Sequence, residues 1–320
     1  MRTLGVVFNP TKIERSELEA VVNPAQQEAG WSETMWLETA EDDPGTGMAQ
    51  EAVDRGADVV LAVGGDGTIR AVAEGLRDSG VPIALAPQGT GNLLARNLEL
   101  TIDNLEESVK AAFHGEPRAV DLGIARWTRP GGKQEERAFV VAAGVGLDAK
   151  IMASTDEELK KKVGMLAYIK AGLEALVKDH RMRIVYYLDD DEPQHTKVHT
   201  ILIGNCGSIG GNVLLLPDAA VDDGILDVVA VLPRGLFGWP RVAWKVLVDN
   251  WLLRRTGSEL VRKNRDRSRE LNYQQCREIE VHFRHPEEVE LDGDHFGEIL
   301  ALRVHVEDSG LLVQMPPAAP

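Results

Sequence analysis

The stretch Asp58-Val59-Val60-Leu61-Ala62-Val63-Gly64-Gly65-Asp66-Gly67-Thr68 is followed shortly by Val81-Pro82-Ile83-Ala84-Leu85-Ala86-Pro87-Gln88-Gly89-Thr90-Gly91-Asn92. Each is a short apolar run, rich in β-branched residues, that ends in a glycine loop and passes into a helical pattern. A similar unit lies upstream, where Leu4 to Phe8 runs into Asn9-Pro10. Repetition of strand, loop and helix predicts an α/β domain, a parallel sheet with helices on its faces. A ligand of such a sheet lies at the carboxyl ends of the strands, where these loops fall.

After about Gly123 the texture changes. Ala138 to Ala143, Met182 to Leu188, Val198 to Ile203, Leu226 to Leu232, Glu278 to Phe283 and Val289 to Leu291 read as strands separated by polar turns, so the second half is expected to be mainly β. Within it, Thr155 to Lys178 reads as a helix whose Thr155 and Glu158 have the spacing of a capping box. A second helical stretch, Gly238 to Leu253, carries Trp239, Trp244 and Trp251. The expected division is an N-terminal domain over 1–123 and a second domain over 124–300.

The 320 residues suffice for two domains of about 150 residues each. Apolar residues make up 43% and charged residues 27%, ordinary proportions for a globular chain. Cys206 and Cys276 are the two cysteines, too few for a disulfide framework and outside any Cys/His cluster. They point to a reducing, cytoplasmic setting. No apolar run approaches the about 18 residues of a spanning helix, and the first residues read as a strand rather than a signal peptide. Against 35 basic residues stand 51 acidic ones, a net charge of −16, which argues against a partner in nucleic acid. Basic clusters nevertheless occur at Lys160, Lys161 and Lys162, and between Arg254 and Arg269.

Glycine loops let backbone N–H groups approach phosphate oxygens where a side chain would clash. Asp66, between glycines, is placed to meet a phosphate-bound magnesium or its waters, and Thr68 to cap the following helix. Thr90 and Asn92 flank Gly91 at the start of another helix, whose N-terminus favours an anion. The plainer reading makes each loop a tight turn; two in succession favour a nucleotide. There is no GxxxxGK[ST], and the spacing does not match GxGxxG.

Together these loops resemble the signature of the diacylglycerol kinase catalytic-domain family, which includes soluble bacterial lipid kinases and the sphingosine and ceramide kinases. The resemblance extends through Ala143-Gly144-Val145-Gly146-Leu147-Asp148-Ala149, Lys162 to Tyr168, Gly204-Asn205, Gly210-Gly211, Pro217-Asp218-Ala219, Asp223-Gly224-Ile225-Leu226-Asp227 and Asp292-Gly293-Asp294. It implies an ATP-binding α/β domain joined to a lipid-holding β-sandwich, with residues 301–320 returning to the first domain. It also implies that Gly64, Gly65, Asp66, Gly67, Thr68, Gly89, Thr90, Gly91 and Asn92 cradle the nucleotide with help from Asn9. Asp223 would hold Mg2+, linked through water to Asp66, and Asp294 would take the proton of the attacking hydroxyl. Each Asp-Gly is also good turn chemistry, and that reading stays open beside the catalytic one.

Two departures stand out. The family usually ends its last motif in glutamate, one methylene longer than Asp294, and the Ser-Gly that commonly follows Asn-Pro is here Thr11-Lys12. The implied activity is transfer of a phosphoryl group from ATP to diacylglycerol or a similar lipid alcohol. A sphingoid-base kinase, an enzyme like NAD kinase and a nucleotide-binding regulator without turnover are the alternatives. A lipid acceptor implies transient contact with an anionic inner membrane surface, through the run Arg254 to Arg269 or the three tryptophans. Core packing is the favoured reading of the tryptophans, which fall in a stretch of helical apolar periodicity, and a solvated face accounts equally for the basic run. Oligomeric state stays open.

Overall fold

A computed structural model of the chain describes residues 1–146, 181–208, 215–232 and 270–317. The expected helices Thr155 to Lys178 and Gly238 to Leu253 lie outside the described residues. So do Lys160 to Lys162, the run Arg254 to Arg269, Leu147 to Ala149, Lys162 to Tyr168 and Gly210-Gly211.

The first elements are β1 (Leu4–Phe8), α1 (Arg15–Ala29), β2 (Met35–Glu38), α2 (Thr46–Asp54), β3 (Val59–Gly64), α3 (Asp66–Leu76), β4 (Ile83–Pro87), α4 (Leu93–Asn97) and α5 (Leu105–His114). The strands form a parallel sheet in the order β2-β1-β3-β4. Strands β1, β3 and β4 are buried along their whole length, so their apolar runs serve both faces. Leu4, Val6 and Phe8 pack with Leu18 and Val22 of α1 and Phe113 of α5 on one side. On the other, Val7, Val60 and Ala62 pack with Ala52 of α2 and Val72 and Leu76 of α3. Burial of each such Leu, Val or Phe contributes about 1.5–3 kcal/mol.

The second half contains β5 (Glu116–Thr128), β6 (Gln134–Phe139), β7 (Ala142–Val145), β8 (Met182–Leu188), β9 (Gln194–Val198), β10 (Thr200–Gly204), β11 (Leu226–Val231), β12 (Leu271–Cys276), β13 (Glu278–Leu291) and β14 (Asp294–Met315). Their inner faces enclose a β-sandwich core that includes Trp127, Phe139, Ile201, Val281, Leu291 and Leu302. One hydrogen-bonded path, β12-β11-β10-β7-β13-β14-β4-β3-β1-β2, joins both halves. The 22-residue strand β14 is the link. Its start pairs with β13, its length with β5, and Val313 lies parallel to Ile83 of β4. The change of texture after Gly123 falls inside β5, whose Val120, Leu122 and Ile124 face the first core while Ala125 and Trp127 face the second. A strand shared between two cores shows no polar boundary in its sequence.

Four expected strands are divided or fused differently. Ala138 to Ala143 breaks at Val140-Val141 because the N–H groups of Val140, Val141 and Ala142 donate to the Asp292 carboxylate instead of to a strand. Val198 to Ile203 breaks at His199, whose N–H turns to the Val231 carbonyl. Glu278 to Phe283 and Val289 to Leu291 are one strand, interrupted by a register shift between His282 and Glu287 that accommodates Pro286. Strands β2, β5, β12 and β14 have no counterpart in the expectation, and β6 and β9 meet it only at their last residues, Ala138-Phe139 and Val198. Both cysteines are buried and free. Among the described residues no helix is long and apolar enough to cross a membrane.

Candidate active site

Three strand-to-helix loops lie side by side because their strands are in register. Phe8 pairs with Val63 and Gly64 with Pro87, and the Asn9 N–H donates to the Val63 carbonyl while that of Gln88 donates to Gly64. The loops after β1, β3 and β4 therefore meet at one carboxyl edge, the place where an α/β sheet takes a ligand.

None of the glycines in the β3 and β4 loops has a positive φ. They answer to close approach instead. A Cβ at Gly64 would lie 2.7 Å from the Thr68 side chain, at Gly89 2.9 Å from the Gly65 Cα, and at Gly91 2.5 Å from Asp66 Oδ2. Gly65 is different. A Cβ there would find only the Gly89 Cα at 3.7 Å, ordinary van der Waals contact, and its φ of −84° suits any residue. Packing within the chain thus leaves room for a side chain at 65, and a methyl would fill the cradle between the loops. This position fits a phosphate that must approach bare backbone.

The Asp66 carboxylate points across the loops rather than outward. Oδ2 accepts from the Asn92 N–H at 2.9 Å and Oδ1 from the Leu93 N–H at 2.6 Å, so one side chain staples the β3 loop to the β4 loop. Burial pushes its pKa up, the Leu93 and Asn92 donors pull it down, and Asp294 adds to the rise. Thr68 does not cap α3. Gly65 occupies the cap position, and Thr68 is buried in the first turn against Gly64. Asn92, buried in a left-handed conformation, accepts the Gly89 N–H on Oδ1 at 2.9 Å and so shapes its own loop. Asn9 does likewise, with Oδ1 accepting from the Thr11 N–H and hydroxyl. Thr90 is exposed at the rim.

The other half reaches these loops through the two-residue hairpin between β13 and β14. Leu291 pairs with Asp294, and Asp292 and Gly293 have φ of 50° and 91°, a turn that the Asp-Gly pair is suited to make. The hairpin splits its two aspartates between different tasks. Asp292 is buried and accepts three backbone N–H groups, from Val140, Val141 and Ala142, each at 2.9 Å. Burial pushes its carboxyl up to about 6 against those donors. Asp294 is half exposed and stands over the first glycine loop; a Cβ at Gly67 would come within 2.9 Å of its Oδ2.

Arg70, which sequence reasoning missed, fixes that carboxylate. It sits one turn past Gly67 on α3 and is 5% exposed. Its Nη2 donates to Asp294 Oδ2 at 3.0 Å, and its guanidinium lies 4.9 Å from the Phe296 ring centroid. Further along α3, Glu74 accepts the Ala138 N–H, and Arg77, which caps the helix, pairs with Glu136 of β6 and Glu307 of β14. A helix that begins at a ligand loop and carries charges toward a second sheet is the signal that was available.

Asp223 stands in a separate carboxylate group, at the turn before β11. Its Oδ1 accepts the Ile225 N–H at 3.1 Å, and burial followed by Asp121 and Asp222 raises its pKa. Asp121 is buried, with its oxygens taken by the N–H groups of Gly224 and Ser309. Burial also pushes Asp227 up to about 6, with Asp223 adding to the rise. Asp223 interacts with these neighbours, whereas Asp66 interacts with Asn92, Leu93 and Asp294. Among the described residues no three His, Cys, Asp or Glu side chains converge as a metal cage. The adjacent Asp222 is paired with Arg118 at 2.6 Å; a magnesium ion needs only one or two carboxylates and keeps several waters, and the exposed Asp223 is compatible with it.

Two known domain families match the chain. Residues 3–125 match the family described as diacylglycerol kinase catalytic domain, and residues 140–238 the YegS C-terminal NAD kinase beta sandwich-like domain. The chain is 34% identical over 230 residues to "Probable lipid kinase YegS-like" of Pseudomonas aeruginosa (strain UCBPP-PA14), with 71% of each chain covered. It is 28% identical over 254 residues to "Diacylglycerol kinase" of Bacillus subtilis (strain 168), covering 77% of this chain and 79% of that one. A crystal structure of a diacylglycerol kinase from Bacillus anthracis str. Sterne superimposes with a TM-score of 0.67 at 18% identity, covering 100% of this chain and 98% of that one. Yeast NADH kinase complexed with NADH superimposes with a TM-score of 0.58 at 10% identity, over 99% and 84%. At those identities the two structures speak for the fold alone.

Proposed function

The chain belongs to the diacylglycerol kinase catalytic-domain family of lipid kinases, and from that membership we propose that it transfers the γ-phosphoryl group of ATP to the hydroxyl of diacylglycerol or a similar lipid alcohol. The observation that carries the reading is the position of Asp294. A carboxylate delivered by the second half overhangs Gly67, the last glycine of the β3 loop of the first half, and is steadied there by Arg70.

Phosphoryl transfer needs positioning and charge neutralisation more than covalent help from the protein. In this reading Gly64 to Thr68 and Gly89 to Asn92 hold the phosphates against backbone, with Asn9 and Thr90 at the rim. Asp66 keeps the two loops at a fixed spacing. Asp294 receives the proton as the acceptor oxygen bonds to the γ-phosphorus and the bond to the bridging oxygen breaks; a carboxylate within hydrogen-bond reach is the ordinary means. Asp223 supplies the protein ligand for Mg2+, whose contribution when bound is to neutralise phosphate charge. The acceptor comes from a lipid phase. A transient stay at the membrane surface is part of the same reading.

Purified chain incubated with labelled ATP, magnesium and a panel of lipid alcohols, sphingoid bases and NAD is expected to label a lipid alcohol. Label on NAD alone, or ATP binding without transfer to any acceptor, would reject the proposal. Asp223→Ala is expected to lower the transfer rate at ordinary magnesium and to recover part of it at high magnesium, as a titration of rate against the metal would show; kinetics indifferent to the substitution would remove Asp223 as the ligand.

A further inference from the structure

Away from the candidate site, the outer face of the sandwich carries a cationic groove of about 700 Å³ between β8, β9 and β13. Its chemistry follows from strand alternation. Met182, Ile184, Tyr186 and Leu188 of β8 enter the core, so Arg183 and Val185 face outward. Register then sets Lys197 of β9 opposite Arg183, and His195 and His282 on either side of Val185. Arg284 follows Phe283, the partner of Ile184, and therefore flanks Arg183 from β13.

Like charges at directly opposed positions of neighbouring strands destabilise a sheet. The arrangement is one that an anion would relieve. The carboxylates on this face are already engaged, Glu280 with His282 at 2.7 Å and Glu278 with Arg303 at 2.7 Å. Among the described residues, Arg183, Lys197 and Arg284 are exposed and have no carboxylate partner. Such a concentration of unpaired positive charge is conspicuous on a chain of net charge −16.

We propose that this groove docks the chain on a bilayer surface containing anionic phospholipids. The choice of a bilayer as occupant rests on the lipid-kinase reading above, because the acceptor of that reaction resides in one. The groove lies on β13, the strand whose far end carries Asp292 and leads into Asp294. Beyond a Debye length of about 8 Å the bulk charge is screened, so the three cations act on the headgroups at contact while the acidic remainder turns away.

The test uses the full chain and extruded vesicles of phosphatidylcholine alone or mixed with phosphatidylglycerol, read by co-sedimentation. The wild-type chain is expected to bind the mixed vesicles, to leave the neutral ones, and to dissociate with salt. Each basic residue near an anionic surface is worth about fivefold in partitioning, so Arg183→Gln, Lys197→Gln and Arg284→Gln together should lower it about a hundredfold. Lys197→Gln alone, which removes one member of a repelling pair, should fold as the wild type and lower partitioning about fivefold. Undiminished binding by both variants overturns the proposal, as does displacement by inorganic phosphate at constant ionic strength, which would mark a site for the free anion. Transfer to a lipid alcohol in uncharged detergent micelles separates the two readings. Equal rates for wild type and triple variant leave the kinase reading standing whatever the vesicles show, and vesicle binding without transfer leaves docking without that reading.

Discussion

Asp294→Asn is expected to lower the rate of phosphoryl transfer by about 10²- to 10⁴-fold, the range for removal of a positioned general base, while ATP binding is retained. That loss corresponds to about 3–5 kcal/mol of transition-state stabilisation. The two side chains have the same shape, and an amide oxygen can still accept from Arg70, whose Nη2 lies 3.0 Å from Asp294 Oδ2. Only the capacity to take a proton disappears. The loss should therefore fall on kcat, with the KM for ATP little changed, in a steady-state assay accompanied by nucleotide binding measured calorimetrically. Near-normal turnover would remove Asp294 as the base, and loss of ATP binding would mean that its carboxylate serves the loop below it.

Two residues upstream, the same substitution has a different expected outcome. Asp292→Asn should destabilise the folded chain by about 2–4 kcal/mol with no primary effect on chemistry. The carboxylate accepts Val140 N–H on one oxygen and Val141 and Ala142 N–H on the other. An amide has a single acceptor oxygen, so its NH₂ group must face at least one of these buried donors.

The pH dependence has a definite sign. Burial raises the folded-state carboxyl to about 6, above the ordinary aspartate value, so the folded chain holds that proton more tightly than the unfolded one. Its contribution is complete below about pH 4 and is lost as pH rises through about 6. The stability difference between wild type and Asp292→Asn should thus be widest near pH 4 and narrow by up to about 3 kcal/mol on going to neutral pH, in denaturant titrations of both proteins. A difference that widened with pH would mean that three N–H donors outweigh burial.

Asp292, Asp294 and Arg70 mark where local reading ends. The Asp292-Gly293 turn is legible because two adjacent residues must take positive φ. Whether either neighbouring carboxylate is structural or chemical depends on groups remote in sequence. Val140 is 152 residues away from Asp292, and Arg70 is 224 residues away from Asp294. Asp66 illustrates the same point at shorter range. Its place between glycines was visible, yet its carboxylate serves the backbone of Asn92 and Leu93, 26 and 27 residues on. The groove of Arg183, Lys197 and Arg284 required three strands to fall into register before its charges met.

The chain's own order of residues was enough to establish the parallel α/β half, the mainly β half and the glycine loops at the carboxyl edge of the parallel strands. Those features follow from periodicity and from glycine and proline sterics, which act over a few neighbouring residues. Three-dimensional packing alone settled that β5 and β14 serve two cores, that Arg70 holds Asp294, and that Asp292 is consumed by backbone donors. Each depends on contacts between segments far apart along the chain, and a carboxylate's partners are chosen by whichever N–H or guanidinium the completed sheet brings within about 3 Å of it.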